Sequence, residues 1–325
     1  MKDVAIVGLP GSGKSTVFTA VSHRAPGGTT GSQAVVEVPD LRLEQIASIY
    51  ESAKTVRSQV RLVDVAGIDP HSLGAARAAD ALAIVLRAFG PDVDVKRDLE
   101  SFRAELAVAD LVTVEKVLDR AKRAKAGDKE AMLELEAGER AEAVLSDGRW
   151  LSSEEWTPEQ RRVVSLWTPL TMKPDIYVIN ADEPAEASHD IPEPRVVICG
   201  ALEAEATELG DDDAAVLLKE FGITDPAAAA FIRAAYEAIG LLTFFTASER
   251  EAHAWETFRG SKAPQAAGVI HSDFERGFIK AERVRFADLV VAGSEDEARR
   301  RGLVRIEGKD YDVQEGDILV IRHSA

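Results

Sequence analysis

Val4-Ala5-Ile6-Val7-Gly8-Leu9-Pro10-Gly11-Ser12-Gly13-Lys14-Ser15-Thr16 is the stretch from which the rest of this 325-residue chain is read. An apolar run of strand character leads into Gly-x-x-x-x-Gly-Lys-Ser, and Thr16-Val17-Phe18-Thr19-Ala20-Val21 reads as the first turns of a helix. Strand, glycine-rich loop and helix is the order a phosphate cradle requires. Gly8, Gly11 and Gly13 let successive backbone N–H groups converge on an anion, with Pro10 and Ser12 between them. The helix N-terminus adds its positive dipole end. In that arrangement Lys14 lies against the β- and γ-phosphates, and the Ser15 hydroxyl holds Mg²⁺.

Composition narrows the classes open to such a loop. Apolar residues make up 46 % and charged residues 29 %, as in an ordinary globular protein, and the length suggests two or three domains. With one cysteine, Cys199, no intrachain disulfide can form. There is no basic-then-apolar leader and no apolar run of bilayer length, so the expected location is the cytoplasm, without a membrane partner. A net charge of −17 opposes non-specific adhesion to DNA or to an anionic membrane. The last quarter, from Leu242 onward, is close to charge-balanced, so if any part touches RNA it is this one.

Downstream of the first helix, residues 23–38 are rich in Gly, Thr and Ser. In a P-loop nucleotidase this is where a switch hydroxyl meets the metal. Thr29 and Thr30 both qualify and the spacing does not choose; Thr30 joins Ser15 and Asp64 as the expected metal set. Val35–Val38 alternates like a strand, and Pro39-Asp40 opens a helix through Leu41, Leu43 and Ile46. Gln59–Asp64 is the next strand and ends in Asp64-Val65-Ala66-Gly67. An acid at the C-terminal end of a core strand can hold Mg²⁺ through water, and Gly67 can offer its N–H to the γ-phosphate.

Ala81–Phe89 is almost continuously apolar, as a strand buried on both faces would be. From Leu99 to about Leu145 the period becomes helical, through Val114, Val117, Leu118 and Ala121, then Leu133, Ala137, Ala141, Val144 and Leu145. This predicts a charged helical hairpin with coiled-coil packing, protruding from the sheet domain. Pro174–Asn180 returns to strand character and delivers Asn180-Ala181-Asp182-Glu183 to the end where ligands gather in open α/β sheets. Arg195–Ala201 adds one more strand, with a loop at Gly200 and Ala201 to close over the base.

With these elements in place the chain resembles the YchF family, the Obg-like ATPases of the translation-factor P-loop class. The resemblance is carried by Gly8-Leu9-Pro10, Lys14-Ser15-Thr16, Val38-Pro39-Asp40, Asp64-Val65-Ala66-Gly67, Leu106–Leu111 with Val114-Glu115-Lys116, Lys173-Pro174, and Asn180 with Glu183. It is closest C-terminally, in Leu242–Thr246, Lys262–Gly268, Phe274–Ile279 and Glu307–Tyr311. It implies an α/β fold: a P-loop GTPase-like sheet with an inserted helical coiled-coil hairpin, followed by a C-terminal β-grasp-like TGS domain. The expected boundaries are residues 1–112 and 163–241 for the nucleotidase domain, 113–162 for the hairpin and 242–325 for the TGS domain.

The resemblance also implies ATP and Mg²⁺ as cofactors and ATP preference from Asn180 and Glu183. The ribosome or ribosomal RNA is the implied partner, engaged through the TGS domain and the hairpin. A carboxylate one methylene longer displaces the fork that would recognise guanine, which agrees in direction. Ile68 stands where Ras-type enzymes place a water-orienting Gln. The segment Ile68–Gly74 is about ten residues shorter than in the family, and Gly90–Asp94 stands where the family's proposed catalytic His is expected.

His71, the imidazole in that shortened segment, is a candidate water positioner, the alternative being an ordinary surface histidine in a polar loop; Lys14 and Gly67 complete the catalytic set. Arg276, Lys280, Arg283 and Arg285 form the densest basic cluster of the C-terminal part, a candidate RNA-facing patch. The leading reading is therefore a slow ATPase switch at the ribosome. The alternatives are a nucleotide-gated scaffold with negligible hydrolysis, a GTPase or a small-molecule kinase.

Overall fold

A computed structural model describes residues 1–22, 32–67, 70–124, 128–184, 190–223 and 226–324, with Pro70, His71 and Asp211 described by their backbone alone. In chain order, β1 (Lys2–Val7), α1 (Lys14–Ser22), β2 (Gln33–Glu37), α2 (Leu41–Ile49), β3 (Thr55–Val56), β4 (Gln59–Asp64), α3 (Pro70–Ala78) and β5 (Ala81–Ala88) precede a long α4 (Val95–Lys122). Next come α5 (Lys129–Ser146), α6 (Pro158–Leu166), β6 (Asp175–Ala181), β7 (Arg195–Ile198), α7 (Gly200–Ala206), α8 (Asp211–Glu220) and α9 (Ala227–Ile239). The rest comprises β8 (Leu241–Ala247), β9 (Ala252–Phe258), α10 (Ala263–Ile270), α11 (Ser272–Arg276), β10 (Phe278–Arg285), α12 (Phe286–Ala292), α13 (Glu295–Arg300), β11 (Arg305–Glu307) and β12 (Asp317–His323).

The chain divides into two compact units, one of residues 2–35 with 61–235, the other of Met1, 36–60 and 236–325. In the first, the sheet order is β2-β4-β1-β5-β6-β7, and β1, β5, β6 and β7 pair in parallel. Parallel pairing with helical crossovers brings the C-terminal ends of these strands to one edge, where the phosphate loop leaves β1 and Asn180 leaves β6. β5 is buried along nearly its whole length, which explains its unbroken apolar run. Leu82, Ile84 and Leu86 share a core with Val95, Leu99, Phe102 and Leu106 of α4.

The expected helical hairpin is formed by α4 and α5, and α4 begins well before residue 113. α4 is one helix of 28 residues that starts at Val95, capped by the Asp94 carboxylate accepting from Arg97 N at 3.0 Å. Its first half lies on the sheet. Its second half packs through Val114, Val117 and Leu118 on Ala137, Ala141 and Val144 of α5 and on Val163 and Val164 of α6. The helical period is read correctly, but two cores on one helix make it part of the sheet layer as well as of a three-helix cluster. Asp110 joins the halves: it is fully buried and accepts from Arg77 Nη1 at 2.7 Å, Leu170 N at 3.0 Å, and the N–H and Oγ1 of Thr171 at 2.8 Å each.

In the second unit the sheet order is β11-β10-β12-β8-β9-β3. β8 and β9 form an antiparallel hairpin, β12 runs parallel to β8, and β10 pairs antiparallel to β12. Successive residues of β8 point to opposite faces: Phe244 packs with Ala263, Ala266 and Ala267 of α10, and Phe245 with Leu43 and Ile46 of α2. Residues 36–60, expected within the nucleotidase domain, thus sit in this unit, because Leu43 and Ile46 bury completely against its sheet. The expected start of α2 is observed, with Asp40 as N-cap accepting from Arg42 N at 3.0 Å.

Candidate nucleotide site

The loop between β1 and α1 places Gly11 and Gly13 at φ +80° and +85°, which side chains on an L-residue rarely adopt. A side chain at Gly13 is disfavoured for a second reason: a Cβ there would lie 2.1 Å from Asn180 Nδ2. Ser12 N donates to Leu9 O at 3.2 Å and closes the turn, and Val17 N donates to Gly13 O at 2.9 Å as the helix begins. Pro10, Gly11 and Ser15 are exposed, Gly13, Lys14 and Thr16 half-buried, and Gly8 and Ser12 buried.

Lys14 Nζ donates to the carbonyls of Gly8 at 3.0 Å and Leu9 at 3.1 Å, which folds the ammonium back over the loop. Burial lowers its pKa, and the Asp64 charge opposes that. Ser15 Oγ donates to Asp64 Oδ2 at 3.0 Å. Asp64 sits at the end of β4, 2 % exposed, with its backbone N–H donating to Ser32 O at 2.9 Å. Burial raises the Asp64 pKa most, while the Ser15 hydrogen bond and the Lys14 charge pull it down. Asp64 Oδ1 is buried with no hydrogen-bond partner among the described residues.

An orphaned carboxylate oxygen beside a serine hydroxyl at the start of a phosphate-loop helix suits Mg²⁺. That ion takes one or two protein oxygens and fills its octahedron with water and phosphate. No cluster of three or more His, Cys, Asp or Glu occurs among the described residues, and such a site requires none.

Asn180, expected to read the base, spends both polar atoms on the protein. Its Nδ2 donates to Ser12 O at 3.1 Å, and its Oδ1 accepts from Gly200 N at 3.1 Å, so one buried side chain ties the phosphate loop to the β7–α7 loop. That second loop is braced from below by Glu203, whose carboxylate accepts from Cys199 N at 3.2 Å and Ala227 N at 2.5 Å. In sequence Glu203 reads as one acid among several in an acidic helix, and no local signal sets it apart. Glu183 and Ala201 are exposed, and Gly200 is buried. Gly67 is half-buried two residues past Val65, whose N–H donates to Ile6 O at 3.0 Å. Thr29, Thr30 and Ile68 lie outside the described residues, and His71 is placed only as backbone in the first turn of α3.

The C-terminal basic cluster does not form one patch. Arg283 is 9 % exposed, pairs with Glu307 at 3.0 Å and lies over the Tyr311 ring. Arg276 pairs with Asp273. Strand alternation sends Lys280 and Arg283 to opposite faces of β10. Phe244 and Phe245 are core, and His271 caps α11 by accepting from Asp273 N at 3.1 Å.

Together the parallel sheet, the phosphate loop and the Ser15–Asp64 pair define a P-loop nucleotidase of the GTPase-like class. Two family models match: a 50S ribosome-binding GTPase model covers residues 3–116, and a YchF-GTPase C-terminal model, described as a protein of unknown function, covers residues 241–324. The chain is 37 % identical to the ribosome-binding ATPase YchF of Bacillus subtilis, with 98 % of both chains covered. It is 34 % identical to the protein of that name in Escherichia coli O157:H7, with 97 % of both covered. It is also 33 % identical to Obg-like ATPase 1 of Oryza sativa subsp. japonica, over 98 % of this chain and 91 % of that one. The solved YchF GTPase of Schizosaccharomyces pombe superposes with a TM-score of 0.83 at 26 % identity, covering 99 % of this chain and 97 % of that one. The chain belongs to the YchF family.

Proposed function

We propose that the chain is a Mg²⁺-dependent, slowly hydrolysing ATPase that prefers ATP to GTP and acts as a nucleotide switch on the ribosome in the cytoplasm. The Ser15–Asp64 pair, with its orphaned Oδ1, carries this reading. Relatives named ribosome-binding ATPases support the activity and the partner. No helix among the described residues is long and apolar enough to cross a membrane.

In this reading Lys14 leaves the Gly8 and Leu9 carbonyls for the β- and γ-phosphates, and the loop N–H groups hold the phosphate oxygens. Ser15, Asp64 and Thr30 would hold Mg²⁺, which would supply positive charge to offset that of the phosphates. Gly67 senses the γ-phosphate and His71 positions the water. Single-turnover hydrolysis by His71→Ala tests that last role, and an unchanged rate rejects it. Ribosome contact runs through the helical cluster and the C-terminal unit.

Because Asn180 is committed to Ser12 and Gly200, discrimination between bases falls to Glu183, with Gly200 and Ala201 closing over the ring. Calorimetric titration of Glu183→Asp should move the ATP-to-GTP affinity ratio about tenfold toward GTP, the size of one charge-assisted hydrogen bond. A ratio that does not move, or a wild-type preference for GTP, refutes the base assignment.

The raised Asp64 pKa sets a pH dependence. Metal binding needs the carboxylate, and a raised pKa means protonation removes it at a higher pH than for an ordinary aspartate. Mg²⁺-dependent ATP affinity should therefore weaken as pH falls through that raised value. Asp64→Asn should give weak affinity that is flat across the same range. Titrations in Mg²⁺ and in EDTA at several pH values check both.

A further inference from the structure

α3 and α4 border a groove of about 620 Å³ away from the nucleotide site. Its floor is apolar: Leu73 of α3 lines one side, and Ala104, Val108 and Val112 recur every fourth residue along α4. Val108 is 61 % and Val112 46 % exposed, although the opposite side of α4 is fully used in the two cores. A single exposed valine is ordinary; an apolar row at helical spacing inside a concavity is a recognition feature.

Charges mark the two ends. Glu105 and Lys116 both line the groove, and neither forms an ion pair or a side-chain hydrogen bond among the described residues. They stand eleven residues apart on α4, about 16 Å at the helical rise. Arg77 also lines the groove, but its guanidinium is engaged by Asp110 and by the carbonyls of Ala109 and Thr168; with an apolar floor and Glu105 repelling phosphate, the groove disfavours nucleic acid. A protein helix satisfies every feature: two apolar side chains one turn apart would seat against Val108 and Val112, a basic residue would meet Glu105, and an acidic residue three turns along would meet Lys116.

We infer that the α3–α4 groove is the docking site for an amphipathic helix of a ribosomal protein. This rests on the ribosome reading above and deepens it, since one wall of the groove, α3, begins three residues after Gly67.

The test uses the full chain and purified ribosomes with ATP. Wild-type co-sedimentation is measured first, then Val108→Asp and Glu105→Lys, with a benzoylphenylalanine photocrosslinker at position 108 as the third arm. Calorimetric ATP affinity, unchanged in each variant, shows that the unit is folded. The expected result is a drop in ribosome affinity of about tenfold or more for each substitution, typical of a central or charge-paired interface position. The crosslink should map to a helix of one ribosomal protein. Crosslinks to RNA alone, or undiminished co-sedimentation of both variants, overturn the groove while leaving ribosome binding intact. Failure of the wild type to co-sediment overturns the ribosome reading and the docking helix with it.

Discussion

Asp110→Ala is expected to destabilise the nucleotidase unit by about 3–5 kcal/mol, the usual cost of breaking a buried ion pair by removing one partner. The carboxylate is wholly buried and accepts four hydrogen bonds, one of them from a guanidinium. Its loss leaves the N–H groups of Leu170 and Thr171 without acceptors in the interior. Arg77 retains the carbonyls of Ala109 and Thr168, each at 3.0 Å. For a unit of this size the effect corresponds to a fall in melting temperature of roughly 6–20 °C. Asp110→Asn should cost less, because the amide oxygen still accepts although its NH₂ faces donors. Thermal unfolding followed by circular dichroism distinguishes the two, and a shift below 2 °C for the alanine variant would falsify this account of the joint.

Gly13→Ala and Gly11→Ala form the second comparison. Both glycines have nearly the same positive φ, so each substitution carries about 1–2 kcal/mol of backbone strain. A Cβ at Gly11 meets nothing within 4 Å, whereas one at Gly13 displaces Asn180 Nδ2. Asn180 is buried and cannot move aside without giving up Ser12 O and Gly200 N, each worth about 1–3 kcal/mol when left unsatisfied. Gly13→Ala should therefore lose at least about 3 kcal/mol in folding and ATP affinity combined, on the order of a hundredfold or more. Gly11→Ala should lose only the strain. Equal effects would show that the Asn180 contact contributes nothing. Denaturant unfolding and ATP titration of both variants give the two parts separately.

Asn180 shows where reading by motif stops. Its place at the end of β6 is legible from the strand pattern, and its proximity to the phosphate loop follows from the parallel sheet. Its hydrogen bonds are not legible, because Ser12 and Gly200 lie 168 and 20 residues away along the chain. Asp110 is similar: it is visible within Leu106–Leu111, but its role depends on Arg77 and on the turn at Leu170–Met172. The basic cluster is the opposite case, since adjacency in sequence suggested a patch that strand alternation and ion pairing divide.

From the sequence alone came the elements that depend on local pattern. These are the phosphate loop between β1 and α1, the buried β5, the helical period of α4 and α5, and the strand ending at Asp64. Each is encoded in residues within a few positions of one another, where glycine conformational freedom, period and capping act. The tertiary structure decided what depends on burial between distant segments. It placed residues 36–60 in the C-terminal unit, gave α4 two cores, and turned Asn180 into a tie between loops. Hydrophobic burial and buried hydrogen bonding are set by neighbours in space, and only the folded chain shows which neighbours those are.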